Sequence, residues 1–185
     1  DGATDIQTRK ITIYEVYPPE TTANYDGLWH NFDFTIRLSA TDDYSGVSET
    51  YYKINNGPTR ELSVDGQPRI TTEGANNALE YWSVDNVGNE ETHHTLFDIK
   101  LDKTAPSADA GPDITITEDT LMNLDGSASN DNIGITDYTW TLFDGSLQTL
   151  DGVGPQYIFH TPGVYTANLT VTDAALNSAS DTVKI

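Results

Sequence analysis

Four aspartates recur as two pairs with one spacing: Asp43 and Asp85 in the first half of the chain, Asp131 and Asp173 in the second, each pair 42 residues apart. Four residues after the second acid of each pair stands an asparagine, Asn89 in VDNVGN and Asn177 in TDAALN. Carboxylates that converge repel one another unless something neutral or positive lies between them. Calcium suits such irregular Asp/Asn/Gly loops, because it accepts roughly six to eight oxygens from Asp side chains, carbonyls and water in flexible geometry. With no cysteine and only four histidines, a zinc site has little to draw on. The competing reading is a turn: Asp before Gly or Asn at a strand end commonly accepts hydrogen bonds from its own backbone. For Asp131 with Asp173, the acid Asp102 offers a third arm. In the first half Tyr14 stands four residues before Pro18 where an acid is wanted, so Glu15 or Glu20 would have to substitute.

The elements that must carry these acids repeat with them. Asp43 and Asp131, Asp85 and Asp173, Gly46 and Gly134, Tyr52 and Trp140, Asn89 and Asn177, and Pro18 and Pro106 all share an offset of 88 residues. Two copies of that length are tandem domains rather than solenoid units. Between the fixed points the pattern is of short strands, expected at residues 10–17, 32–40, 50–55, 59–64 and 78–84, then at 113–118, 120–126, 136–143, 155–160 and 164–171. Alternation is clearest in FDFTIRL, which places Phe32, Phe34, Ile36 and Leu38 on one face and Asp33, Thr35 and Arg37 on the other. Asn-Gly and Asp-Gly pairs punctuate the runs. TTEGANNALEYW is weakly helical by composition, but its β-rich neighbours argue against a helix.

The fold class expected is therefore all-β, as two tandem immunoglobulin-like β-sandwiches over residues 1–105 and 106–185, with Pro106 in LDKTAPSADAGPD marking the boundary. In that topology the loop after the second major strand and the loop before the last strand share one pole. Acids far apart in sequence then become neighbours.

Composition narrows the partners. Nine Lys and Arg against twenty-nine Asp and Glu give a formal net charge of -20. Such a surface repels nucleic acid and anionic lipid and attracts divalent cations, although the same bias also suits a salty medium. No apolar run approaches a membrane span, so direct membrane insertion is not expected. The chain opens at Asp1 and stops after the strand-like DTVKI, which reads as a piece of something longer.

Enzyme chemistry finds little support. There is no Gly-x-Ser-x-Gly elbow, phosphate-cradling loop or His-Glu-x-x-His helix. His93 and His94 are adjacent, and neighbours on a strand face opposite sides. Glu90-Glu91 reads as a charged edge that discourages aggregation. Trp29, Tyr44 and Tyr51 are candidates for a sugar-stacking platform or, more commonly, for core. Asn168-Leu169-Thr170 is a glycosylation sequon, and alternation turns Asn168 outward.

DGSASNDNIGITDYTWTLFDG, followed by FHTPGVYTANLTVTDAALNSASDTVKI, resembles a PKD domain, an Ig-like module of archaeal and bacterial surface proteins. The resemblance rests on Trp140, Leu142, Asp144 and Gly145, on Pro162-Gly163-x-Tyr165 and on Thr172-Asp173. It implies that calcium, where bound, is held at Asp131, Asp173 and the Asp102 region. Asp131-Asn132-Ile133-Gly134 stands where many relatives carry D-x-D-G, leaving one carboxylate fewer, with Asn132 among the candidate ligands. LSATDDYSGVSETYYKINNG, with EGANNALEYWSVDNVGNEE and DIKLDKTAP, is similar to the Ig-like domain family named after the leptospiral outer-membrane protein OmpL47. Together the resemblances imply a non-catalytic extracellular stalk or spacer of a secreted or cell-surface protein. Its partners would be other domains of the same polypeptide and cell-surface polysaccharide or protein. The alternative is an accessory ligand-binding module of a secreted hydrolase.

Overall fold

The protein is described here over residues 15–185 in a computed structural model. Most of the strand expected at residues 10–17 lies outside the described residues, and residues 15–17 are not in a strand. The elements run β1 (Glu20–Asn24), β2 (Trp29–His30), β3 (Phe34–Thr35), β4 (Arg37–Thr41), β5 (Val47–Ile54) and β6 (Arg60–Glu61). There follow the single helical turn α1 (Leu62–Asp65), β7 (Arg69–Ile70), β8 (Gly74–Asp85) and β9 (His94–Leu101). The remainder is β10 (Leu121–Asn123), β11 (Ile135–Phe143), β12 (Leu147–Asp151), β13 (Gln156–Ile158), β14 (Thr166–Asp173) and β15 (Ser178–Lys184). The fold is all-β, as two tandem immunoglobulin-like β-sandwiches. Each sheet draws its strands either from β1–β9 or from β10–β15, and the largest has the order β2-β9-β8-β5-β6.

Two compact units divide the chain, and neither is continuous in sequence. One takes the described residues through Asn24 with Ile36–Pro68 and Leu79–Leu96; the other takes Tyr25–Thr35, Arg69–Ala78 and Phe97–Ile185. In the first, β1 and β4 form an antiparallel ribbon, and β5 pairs with β6 and β8. Ile36, Leu38, Tyr52, Leu79 and Tyr81 are buried there. In the second, a four-stranded sheet of order β12-β11-β14-β15 faces the β10–β13 ribbon. Trp140, Leu142, Ala167, Leu169, Val171 and Val183 close on Met122, Leu124 and Phe159 to make its core. Trp140 buries its ring fully and still satisfies its indole N–H, which donates to the Gly152 carbonyl at 3.2 Å. Gly126 leaves room for this packing, since a Cβ there would meet Leu169 Cδ2 at 3.0 Å.

The 88-residue offset is visible in the ladders. Tyr52 faces Tyr81 as Trp140 faces Leu169, and Val47 faces Asp85 as Ile135 faces Asp173. Each ladder also breaks register at the same place, between Val47 and Glu49 and between Ile135 and Asp137. Both pairs therefore deliver an aspartate to the end of a strand beside a bulge, where a side chain is re-aimed toward the loops.

Three local expectations need correction. The run at 59–64 is β6 followed by α1, because the Asp65 carboxylate accepts the Glu61 N–H at 3.0 Å and Gly66, at φ 76°, ends the turn. The alternation in FDFTIRL holds for Ile36 and Leu38, but Phe32 is 62% exposed in a bend ahead of β3. Residues 113–118 are not in a strand: the Ile114 N–H donates to the Lys184 carbonyl at 2.8 Å, but the Lys184 N–H goes to the Asp113 carboxylate at 2.9 Å, so no ladder forms. The weakly helical stretch TTEGANNALEYW is strand from Gly74 onward, as its neighbours indicated.

Candidate metal centre

In the second unit, Asp102 follows β9, Asp131 lies in the loop before β11, and Asp173 ends β14. One carboxylate oxygen from each lies within 4.8 Å of the others. Asp102 and Asp173 are each 1% exposed and Asp131 is half-buried. Asp131 Oδ2 accepts the N–H groups of Ile133 (2.8 Å) and Gly134 (2.7 Å). Asp173 is held by Asn177, whose backbone N–H donates to Oδ1 at 2.9 Å and whose amide donates to Oδ2 at 2.7 Å. The same amide donates to the Asp102 carbonyl at 2.9 Å. Asn177 thus closes the turn after β14 and also braces the segment entering the second sandwich.

Asp102 is the strained member electrostatically. Its Oδ1 accepts the Thr104 N–H at 3.2 Å and the Asn132 amide at 3.3 Å. Burial pushes its carboxyl above the ordinary range; these two hydrogen bonds pull it down, and the charges of Asp131 and Asp173 push it up again, with a net rise. Asn132, expected as a ligand, instead turns its amide nitrogen to Asp102 and acts as a donor.

The first unit builds a counterpart from Glu15, Asp42 and Asp85, again with one oxygen each within 4.8 Å. Asp42, not Asp43, is the acid brought to Asp85; Asp43 is exposed. The reason is loop length. Asp42 Oδ1 caps the Gly46 N–H, four residues on, at 2.6 Å, whereas Asp131 caps Gly134, three residues on. One extra residue separates acid from glycine, so matching at a fixed offset lands one position late. Glu15 supplies the third arm, with its Oε2 accepting the Ser45 N–H at 3.0 Å. Asp85 repeats the brace: the Asn89 N–H donates to Oδ1 at 2.8 Å and its amide to Oδ2 at 2.7 Å, and that amide also reaches the Glu15 carbonyl at 3.3 Å. Val87 adds an N–H to Oδ1 at 2.9 Å. Desolvation raises the Asp85 carboxyl, but donors from Asn89, Val87 and Gly88 outweigh it and hold it below the ordinary range.

Among the described residues, the buried side-chain oxygens with no hydrogen-bond partner are Glu15 Oε1, Ser45 Oγ, Asp102 Oδ2 and Asp131 Oδ1. Every one belongs to these two clusters or to the loop that builds one of them. Donors made only of oxygen fit a hard cation, and no histidine belongs to either cluster.

A second set of contacts, which the sequence reading missed, pins the segment beginning at Asp102. The Asp102 N–H donates to the His30 carbonyl at 2.9 Å, and the Lys103 N–H donates to Glu73 Oε1 at 2.7 Å. Thr104 Oγ1 also donates to the Glu73 carboxylate, and Lys103 Nζ reaches Asp33 Oδ1 at 2.9 Å.

The other singled-out residues have separate surroundings. His93 stacks on Trp82 at 3.9 Å and contacts Glu80 and Glu90, while His94 stacks on Tyr81 and contacts Glu91. They face apart, His93 just ahead of β9 and His94 at its start. Glu91 is not an edge charge: it is 6% exposed and accepts the N–H groups of Thr21 (3.0 Å) and Ser83 (2.7 Å). Tyr51 stacks on Trp82, Trp29 is half-buried, and Tyr44 is exposed beside Tyr17. Asn168 is half-buried and its amide donates to Thr170 Oγ1 at 3.2 Å.

Among the described residues no helix is long and apolar enough to cross a membrane. No curated protein matches the chain. Among solved structures, the chain is similar to the fibronectin(III)-like modules of Clostridium thermocellum CbhA, with 12% identity and a TM-score of 0.41 over 90% of this chain and 93% of that one. Residues 103–185 match the family model described as PKD domain, a kind of module that is typically extracellular, structural or interacting, and non-catalytic.

Proposed function

We propose that the chain is a non-catalytic extracellular spacer of a larger secreted or cell-surface protein, in which calcium at Asp102, Asp131 and Asp173 stiffens the connector between consecutive domains, residues 1–105 and 106–185. The observation that carries the reading is Asp102: it is 1% exposed, yet its Oδ2 has no donor, and Asp131 Oδ1 beside it has none either. A buried carboxylate oxygen without a partner is costly. A hard cation supplies positive charge to three carboxylates at once. Asp102 follows β9 directly, so its carboxylate ties the end of that strand to the loop of Asp131 and the end of β14. Glu73 and Asp33 hold the next two residues independently of any ion. The partners on this reading are neighbouring domains of the same polypeptide, with cell-surface polysaccharide or protein beyond them.

The test is thermal unfolding of the chain in calcium and in chelator. At calcium about 100-fold above its dissociation constant the folded state gains about 2.7 kcal/mol. Unchanged melting at millimolar calcium removes the metal from the proposal and leaves an unliganded spacer.

A further inference from the structure

One loop of the first unit does a second job. The turn that points Asp42 into its cluster also receives the Tyr44 N–H on Asp42 Oδ1, at 3.2 Å, and so fixes where the Tyr44 ring stands. That ring stacks on Tyr17 with centroids 6.1 Å apart and planes 25° from parallel. The two tyrosines are 65% and 72% exposed, Tyr17 and Tyr44 respectively. Single exposed aromatics are ordinary; a stacked pair at the mouth of a cavity is less so. The cavity has a volume of about 290 Å³, and its walls include Pro18, Glu20, Asp42 and Asp43. Among the described residues, the carboxylates of Glu20 and Asp43 take part in no hydrogen bond or ion pair, and no basic side chain lines the cavity.

The chemistry of those walls selects the occupant. Tyrosine faces present negative electron density, which attracts a cation, and more strongly as water is excluded. The uncompensated carboxylates ask for positive charge at the same place. A neutral sugar would stack on the rings but leave that repulsion standing. An anionic surface would add to it, on a chain whose formal charge is already -20. A planar guanidinium answers both demands: it stacks on an aromatic face while its fork of N–H donors meets carboxylates, and its alkyl stem covers ring surface. We propose that this cavity is a docking site for an arginine side chain on a basic segment of a partner protein. Tyr17 and Tyr44 take the guanidinium plane and stem, and Asp43 and Glu20 take the charge. This assignment explains Asp43, the acid the cluster leaves out, and it does not depend on a bound metal.

The test uses the full chain, at fixed millimolar calcium, and an acetylated, amidated peptide of alternating glycine and arginine. Binding is followed by calorimetry and by the NMR signals of the two tyrosines, with a citrulline-for-arginine peptide as the neutral isostere. The arginine peptide moves the tyrosine signals and the citrulline peptide does not. Tyr44→Ala removes no charge and weakens binding about three- to fivefold. Asp43→Asn weakens it to a similar degree, while Asp151→Asn, the same charge change at an exposed residue of β12, alters it less than about twofold. Tyr44 is largely exposed, so its truncation leaves the fold intact, which thermal unfolding verifies. Equal weakening by Asp43→Asn and Asp151→Asn would mean attraction to overall charge alone and would overturn the site. So would no binding of the arginine peptide, or equal movement of the tyrosine signals by a neutral oligosaccharide.

Discussion

The two acidic clusters share one scaffold and differ in how well it satisfies them. In both, an aspartate at the end of a strand is gripped by the backbone and side chain of an asparagine four residues later, and that asparagine reaches the incoming segment. In the first, Asp85 collects a further N–H from Val87, and its carboxyl falls below the ordinary range. In the second, Asp102 is buried with one oxygen lacking a donor, and its carboxyl rises. Burial is common to both, so burial alone does not decide which cluster calls for a cation. Each cluster also keeps a buried carboxylate oxygen without a donor, Glu15 Oε1 in the first and both Asp102 Oδ2 and Asp131 Oδ1 in the second, and the smaller number of donors in the second favours a cation there.

The largest effects should come from the shared scaffold. Asn177→Ala keeps the backbone N–H on Asp173 but removes the amide's bonds to Asp173 Oδ2 and to the Asp102 and Thr104 carbonyls, and costs about 2–3 kcal/mol in urea unfolding; Asn89→Ala costs a similar amount. A large loss from one and none from the other would break the equivalence of the braces. Slightly smaller, and asymmetric, is the response to calcium. Asp131→Asn abolishes most of the gain of about 2.7 kcal/mol seen at 100-fold excess over the dissociation constant, whereas Asp42→Asn preserves most of it. Calorimetric titration checks the same contrast through stoichiometry and affinity.

In chelator the clusters should respond to pH with opposite sign. Asp85 has a folded carboxyl below its ordinary value of 3.8, so its contribution is present above that value and is lost as pH falls through the folded pKa. Asp102 has a folded carboxyl above 3.8, so its contribution is present below that value and is lost as pH rises through the folded pKa. Asp102→Asn therefore flattens the loss on the alkaline side of the carboxylate range, and Asp85→Asn flattens the loss on the acid side. Stability measured in urea from pH 3 upward, on both variants and the parent chain, separates them; identical profiles would erase the distinction drawn from donor count.

How much of this was legible in the sequence follows from what is periodic and what is not. The ladders obey one offset because β5 with β8, and β11 with β14, keep the same partners and the same bulge, so Asp85, Asp173 and their asparagines are found by counting. Loops are under no such constraint. The acid shifts from Asp43 to Asp42 because its turn holds one more residue before glycine, and Glu15 replaces the Asp102 equivalent one position late with a longer side chain. Measuring each acid back from its loop glycine does no better, since three residues before Gly46 is again Asp43; only the bond from the Gly46 N–H singles out Asp42. Asn132 could not be separated from a ligand by type, since an amide offers both an oxygen and a donor; the neighbouring Asp102 carboxylate fixes which end faces it. The clamp of Glu73 and Asp33 on Lys103 and Thr104 joins residues about 30 and 70 apart with no repeating signal to reveal it.

The smallest expected effect probes the brace through its backbone. The turn between Asp173 and Asn177 needs a left-handed residue just before the asparagine, and Leu176 occupies it at φ 68°. At the matching place in the first half stands Gly88, at φ 95°. A left-handed conformation costs an L-residue roughly 1–2 kcal/mol, part of which glycine gives back through its greater freedom in the unfolded chain. Leu176 is 77% exposed, so replacing it forfeits little packing. Leu176→Gly should accordingly stabilise the fold by about 0.5–1 kcal/mol, and Gly88→Ala should destabilise it by about 1 kcal/mol or more. Both are read as shifts in urea midpoint at constant slope. Should Leu176→Gly destabilise instead, the leucine side chain must be packing against a surface outside these contacts, and the two turns would differ in more than the residue that fills them.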